Sequence, residues 1–438
     1  MTERPFWNPK TEQLPRGELR ALQLTKLRLL AEWAQARSPH YERTFAEAGF
    51  RPEQLRTWAD IDRIPFLTRE EWMRSQDEHP PYGELPVVGP EAAIRVHTTS
   101  GTSGRTPLRA LDSRKDWSWA AEMWCYALWA AGVRPRDVGY VAFGYGSFIG
   151  FWGLHNGLEK LGALTVPGGA QTTPSRIRQI VDFGATVVAS TPTYALRLSA
   201  EAGAMGVDLR SGSVHTVILS GEPVVAETKA LIEERWGARA YDTAGMTEIS
   251  TIFMFEAADQ PGGSHVIEDH FIEQVIDPVT GAEVGYGERG ERVCTSFGRS
   301  TTPLLRYRTA DMVVKVPSRT ARTWDLYQGG IIGRVDDMKL VRGTNVYPGA
   351  IEAIVRGFDH IEEFQVRIER QGDRDEIVLC VEPVATMGDE PWGRLAADLA
   401  RDLAGAHEGL RFHIERAPCG ALPRFELKAK RLTDLRSV

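Results

Sequence analysis

Short apolar runs and longer amphipathic stretches alternate through most of this chain of 438 residues. From about 14 to 75 the spacing predicts helices, with Leu19, Leu22, Leu29, Leu30 and Trp33 on one face. DIDRIPFLTREEW (60–72) then reads as a proline-interrupted turn and a new helix start. Between about 90 and 330, VGYVAF (138–143), ATVVAS (185–190) and VHTVILS (214–220) predict strands separated by helices. That alternation predicts an α/β fold built on a mainly parallel sheet. After GRVDDMKL (333–340) the texture changes: strands EEFQVRIER, IVLCVEPV and RFHIER surround one helix through WGRLAADLARDLAGAH. We expect a large N-terminal domain over 1–335, its residues 1–90 an accessory helical segment, and a small α+β domain over 336–438.

Composition narrows the function. The chain is 42% hydrophobic and 25% charged, ordinary values for a globular protein. A formal net charge of −7, with no basic block beyond KAKR (428–431), argues against a nucleic-acid partner. The start MTERPFWNPK lacks an apolar signal region and no apolar run would cross a bilayer, so the expectation is a cytoplasmic protein without a membrane partner. Cys125, Cys294, Cys380 and Cys419 show no CxxC spacing, which fits reduced thiols and no zinc.

The candidate chemistry begins at TTSGTSGRTPL (98–108), where glycines and hydroxyls let several backbone N–H groups converge on one anion. The loop is neither a P-loop, which needs a lysine after its last glycine, nor a hydrolase elbow, because Arg105 follows GTSG. Four further stretches answer to it. AYDTAGMTEIS (240–250) carries Thr247 and Glu248, a lone glutamate suited to hold Mg²⁺ against phosphate oxygens. LLRYRTADMV (304–313) carries Asp311, a carboxylate able to accept two ribose hydroxyls. GRVDDMKLVRGTNVYP (333–348) places Arg334 at the expected domain junction, and LPRFELKAKR (422–431) carries Lys428.

In this order and spacing the set resembles the phenylacetate–CoA ligase family of the adenylate-forming superfamily. FGYGSFIGFWGLHNGLEKLGA (143–163), STPTYAL (190–196), SGEPV (220–224) and EDHFIEQVIDPVTG (268–281) resemble further blocks of that family, so the likeness covers nearly the whole chain. It implies a large adenylate-forming domain with mixed and parallel sheets and a mobile C-terminal lid. It implies ATP, Mg²⁺ and coenzyme A as cofactors, an aromatic carboxylic acid as substrate and an acyl-adenylate on the way to a thioester. Ser100, Gly101, Thr102, Ser103, Gly104 and Arg105 would hold the β- and γ-phosphates. Glu248 would bind Mg²⁺ with Thr247 beside it, Asp311 and Arg334 would bracket the ribose, and Asp336 would be the hinge. Lys428 would meet the charge that builds on the α-phosphate. The acid's pocket would be built from Phe143, Gly144, Tyr145 and Gly146, from Ser220, Gly221, Glu222 and Pro223, and from Thr243, Ala244 and Gly245. A homodimer is a further expectation of the resemblance.

Other signals weigh less. GYGSFIG (144–150) has the wrong spacing for a dinucleotide fingerprint, and HVIEDH (265–270) is one residue too long for a zinc motif, which leaves His265 and His270 as surface or strand residues. His97 and His155 read as structural. The sequence departs from the family at Arg105, where lysine is usual, at Ala244, usually aromatic, and at Ala310 and Leu427, both usually glycine. These departures keep other readings open: an ATP-independent aryl transferase delivering to a carrier-protein phosphopantetheine, an AMP-forming amide synthetase, and a non-catalytic nucleotide-binding protein.

Overall fold

Five of the helix starts follow hydroxyl caps. Ser38, Thr68, Ser113, Thr172 and Thr191 each accept a hydrogen bond from a backbone N–H in the first turn of the helix that follows, which satisfies a donor the helix itself cannot. The computed structural model describes residues 4–99, 107–146, 149–335, 337–371, 374–384, 387–425 and 429–436.

The central sheet has the strand order Phe271–Ile276, Arg289–Ser296, Leu304–Val316, Leu326–Gln328, Gln260–Val266, Thr251–Ala257, Arg239–Met246, Thr216–Ser220, Val187–Ser190, Val138–Val141 and Leu164–Pro167, with Gly333–Arg334 paired to Leu304–Val316. The last five strands on this path pair in parallel, and the rest are antiparallel. A mainly parallel sheet is therefore found in one half only. The chain from Met246 to Val316 has no helix longer than the turn Thr247–Ile249, so its strands return by hairpins, and hairpins make antiparallel pairs.

The N-terminal helices lie against this sheet. Helix Arg16–Arg37 buries Leu19, Gln23, Leu27, Leu30, Ala31 and Ala34, and its core continues into Ile272 and Leu305 of the antiparallel half. Leu29 and Trp33, expected on the same face, are exposed at 61% and 38%. At 100° per residue they fall well to one side of the stripe running through 19, 23, 27 and 30, and that stripe admits Gln23 because its amide donates to the carbonyls of Glu268 and Phe271. His265 lies on strand Gln260–Val266, as expected, and is fully buried, whereas His270 is corrected: it is half-buried in a turn and accepts from the Trp119 indole at 3.0 Å. Burial lowers the pKa of both rings.

The C-terminal part has its own core around a sheet ordered Phe412–Arg416, Arg374–Pro383, Ile361–Gln371 and Leu432–Asp434, covered by helices Pro348–Arg356 and Asp389–Ala406. The fold is thus a large mixed α/β domain followed by a small α+β one.

Helices Arg114–Ala130 and Ile149–Leu161 meet closely because Gly153 and Gly157 leave room for Trp124; a Cβ on Gly157 would stand 2.5 Å from the Trp124 Cβ. Gly157→Ala should cost about 1–3 kcal/mol by overpacking, read as a lower urea midpoint at unchanged m-value.

Candidate active site

Parallel strands end on one edge of the sheet. Val138–Val141 runs on to residues 143–146, Val187–Ser190 to Thr191 and Thr193, Thr216–Ser220 to residues 221–223, and Arg239–Met246 to Thr247 and Glu248. A crevice at the carboxyl ends of parallel strands is where open α/β sheets bind ligands. The residues expected at 143–146, 220–223, 243–245 and 247–248 are brought together there.

Each has a local reason for its place. Thr243 sits opposite Ser220 in register and its hydroxyl donates to the Leu219 carbonyl at 2.8 Å. Gly245 needs to be glycine, since a Cβ there would lie 2.4 Å from the Thr251 carbonyl oxygen across the hairpin. Phe143 is buried against Phe151, whereas Tyr145 is half-buried. The Tyr145 hydroxyl lies 2.9 Å from His155 Nδ1, His155 Nε2 lies 3.2 Å from Glu159, and the Trp152 ring meets Tyr145 edge-on. Burial raises the Tyr145 pKa, so the phenol stays protonated as a fixed polar point on an aromatic wall. His155 is therefore partnered, as is His97, buried 3.0 Å from Asp112 and stacked on Trp117. Glu222 turns its carboxylate to the N–H groups of Thr193 and Ala429, at 2.8 and 3.1 Å.

Glu248 is buried, and its side-chain contacts among the described residues fall on Oε1: Arg69 Nη1 at 2.5 Å and the Tyr307 hydroxyl at 3.3 Å. Arg69 also donates to Thr99 Oγ1 at 3.0 Å. Thr99 is the root of the glycine-rich loop; its N–H donates to the Leu108 carbonyl and its hydroxyl accepts from the Leu108 N–H, both at 3.1 Å, closing the hairpin of Arg95–Thr98 with Arg109–Asp112. One arginine thus joins the neck of the loop to Glu248. A second, Arg299, is fully buried and donates to the Glu248 carbonyl at 2.5 Å and the Leu111 carbonyl at 2.8 Å. Residues Ser100 to Arg105, Asp336, Leu427 and Lys428 lie outside the described residues.

Asp311 stands opposite Arg334 across a strand pair, with Arg334 Nη1 3.2 Å from Oδ1. Arg292, fully buried and held by two hydrogen bonds to Glu273 at 2.6 and 2.7 Å, lies 3.7 Å from Asp311 Oδ2 and 3.3 Å from Met246 Sδ. Burial raises the Asp311 pKa, opposed by Arg292 and Arg334. A carboxylate has about four acceptor positions, so Asp311 keeps capacity for two hydroxyls after meeting Arg334. Among the described residues no group of three or more His, Cys, Asp or Glu side chains could hold a metal. A cation at Glu248 would take one protein carboxylate and complete its shell from phosphate and water oxygens, the habit of Mg²⁺ rather than of Zn²⁺.

Arg69, Arg299, Arg292 and Asp242 were not singled out in the sequence. Thr68 and Glu71 form a capping box that marks the helix start, yet nothing in TREE says where Arg69 reaches. Asp242 keeps some solvent contact, but desolvation and the neighbouring Glu256 push its carboxyl up to about 7, against Lys229.

Comparison with known proteins agrees with this geometry. Residues 35–298 match the family of AMP-binding enzymes and residues 343–436 match the AMP-binding enzyme C-terminal domain. The phenylacetate–coenzyme A ligase of Thermus thermophilus is 34% identical over 98% of this chain and 100% of its own. The crystal structure of a 2-hydroxyisobutyryl-CoA ligase in the postadenylation state with 2-HIB-AMP superimposes with a TM-score of 0.95 at 29% identity, covering 100% of this chain and 94% of that one. The same ligase in the thioesterification state with 2-HIB-AMP and CoA, over the same shares and at the same identity, gives 0.75. The two parts of this chain therefore sit relative to one another as in the postadenylation state.

Fold and site define an adenylate-forming enzyme, an AMP-forming acid–thiol ligase of the class that works with ATP, Mg²⁺ and CoA. The chain belongs to the AMP-binding enzyme family, beside its phenylacetate–CoA ligases.

Ala310 adopts φ +61°, a region that favours glycine because a Cβ crowds the following carbonyl. Its carbonyl accepts from the Val335 N–H at 2.8 Å, so the conformation is fixed by the strand pair. Ala310→Gly should stabilise the fold by about 1 kcal/mol in urea denaturation. For Asp242 the folded carboxyl binds its proton more tightly than the unfolded one, with pKa about 7 against 3.8. Between these values the folded state holds the extra proton, so stability falls as pH rises and levels off above the folded pKa. Asp242→Asn should lose less stability than the parent between about pH 5 and pH 8; identical urea midpoint shifts in the two proteins would contradict the assignment.

Proposed function

We propose that this enzyme joins an aromatic carboxylic acid, of the benzoate, phenylacetate or anthranilate type, to CoA through an acyl-adenylate. The observation that carries the reading is the link from the Thr99 loop root through Arg69 to Glu248, at the carboxyl edge of strands whose ends also carry Tyr145 and Thr243. The root of the glycine-rich loop, a carboxylate suited to a cation and an aromatic wall thus share one crevice. The aromatic acid is argued from Phe143, Tyr145 and Trp152 and from the likeness to phenylacetate ligases.

The acid's carboxylate attacks the α-phosphorus of ATP and pyrophosphate leaves. Backbone N–H groups of residues 100–105 and the Arg105 guanidinium offset the β- and γ-phosphates. Mg²⁺, held by Glu248 beside Thr247, supplies charge neutralisation at the phosphate oxygens when bound. Asp311 accepts the ribose hydroxyls while Arg334 fixes its carboxylate. Lys428 stabilises charge that is greatest in the transition state. The CoA thiolate then attacks the acyl carbon and AMP leaves, after the part beyond Asp336 has turned about that residue. The domain division near 335, a homodimer and a cytoplasmic setting belong to the same proposal.

The test is pyrophosphate release from ATP with Mg²⁺ against benzoic, aminobenzoic, hydroxybenzoic and phenylacetic acids, with 2-hydroxyisobutyric acid as the aliphatic control. Acid-dependent release confined to aromatic members supports the reading, release with the aliphatic acid alone overturns the aromatic assignment, and silence throughout points to aryl transfer between CoA and a carrier protein. Lys428→Ala should slow adenylation by ~10²–10³-fold yet still form thioester from a supplied acyl-adenylate.

A further inference from the structure

Two of the hydrogen bonds that join the small C-terminal part to the large one fall on a linked pair of residues, Glu222 and Thr193, the latter in the first turn of helix Pro192–Ala204. Its N–H donates to Glu222 Oε1 at 2.8 Å, and its hydroxyl accepts from Arg431 Nη2 at 3.3 Å. The other oxygen of Glu222 accepts the N–H of Ala429 at 3.1 Å. Thr193 and Glu222 follow neighbouring strands of the parallel half, whereas Ala429 and Arg431 precede the last strand of the C-terminal sheet. A third crossing contact runs from Thr228 Oγ1 to Glu352 Oε1 at 3.4 Å.

Arg431 is fixed before it reaches across. Its Nε and Nη2 meet the two oxygens of Glu363 at 2.8 and 3.2 Å, and Nη1 lies 3.4 Å from Glu352. A guanidinium clamped in this two-point way presents its remaining N–H in a set direction. Glu222 is equally committed, a carboxylate at a helix N-terminus where the unsatisfied N–H groups favour negative charge. Ala429 directly follows Lys428, so a hydrogen bond on the Ala429 amide fixes the backbone one residue from the lysine.

Resting on the ligase reading and on the role given there to Lys428, we propose that Glu222, Thr193 and Arg431 form a latch that positions Lys428 for adenylation and opens before thioester formation. All three are positioning residues. The contacts bridge two parts that share their arrangement with the postadenylation state, and a turn of the C-terminal part separates Ala429 and Arg431 from Thr193 and Glu222. A latch made of two crossing hydrogen bonds, one on Glu222 and one on Thr193, holds without locking.

The experiment measures the two half-reactions separately on the full-length enzyme: acid-dependent exchange of pyrophosphate into ATP, and thioester formation from CoA and a supplied acyl-adenylate. Thr193→Val keeps the N–H and the side-chain size but removes the acceptor for Arg431. It should lower exchange about 3–10-fold in kcat at an unchanged KM for the acid, with thioester formation within about twofold of the parent. Arg431→Lys should act the same way, and Thr193→Val stands alone if the lysine variant folds poorly. Glu222→Gln, whose single amide oxygen can accept from only one of the two N–H groups, should lower exchange about 10–100-fold, more than it lowers thioester formation. In Thr193→Val, equal loss in both half-reactions, a rise in KM for the acid, or unaltered exchange overturns the latch while the parent's activity leaves the ligase reading standing. A parent protein that exchanges pyrophosphate with no acid overturns both.

Discussion

The site depends on a buried cation. Arg299 has no access to water and spends its guanidinium on the carbonyls of Glu248 and Leu111, with Asp112 3.4 Å away. A guanidinium in such a place stays charged and must be surrounded by acceptors, so the two chain segments that supply them are obliged to meet. The hairpin bearing the glycine-rich loop is tied by this means to the end of the strand Arg239–Met246. Arg69 repeats the tie at the surface of the same junction through Glu248 and Thr99.

The two halves of the sheet then contribute different things. Parallel strands deliver their carboxyl ends to one edge, where the loops that follow them line one crevice. Antiparallel strands deliver side chains from their faces, and Arg292, Asp311 and Arg334 come from this half. Arg292 touches both sets through Met246 Sδ and Asp311. Its own charge is answered by Glu273, which also accepts from the Tyr327 hydroxyl at 3.0 Å. Breaking such a pair is costly because the surviving charge stays buried.

Much of this was legible in the chain before folding, for reasons that differ by element. VGYVAF, ATVVAS and VHTVILS read as strands because buried parallel strands are apolar on both faces. The direction of the later strands was not legible, since alternation with helices is the only cue to a crossover and that cue stops at Met246. Leu29 and Trp33 misled because apolar side chains on a helix need not face the core, and an amide with two carbonyl partners took a buried place at Gln23. Glu248 and Asp311 sit in recognisable strings, while Arg69 and Arg299 do not. A single arginine has no spacing to betray it, and its partners lie far away in sequence. Ala310 illustrates the converse: the departure from glycine was visible, but the positive φ that gives the departure a cost is a property of the strand pair.

The helices before residue 80 look like an attachment in the sequence and behave as part of the wall. They cover Ile272 and Leu305 and deliver Arg69 to Glu248. A shortened chain beginning beyond them would uncover a sheet face and remove the arginine that joins loop to carboxylate. Trimming or replacing this segment is therefore a change to catalysis as much as to solubility, and a fusion partner is better attached ahead of it than exchanged for it.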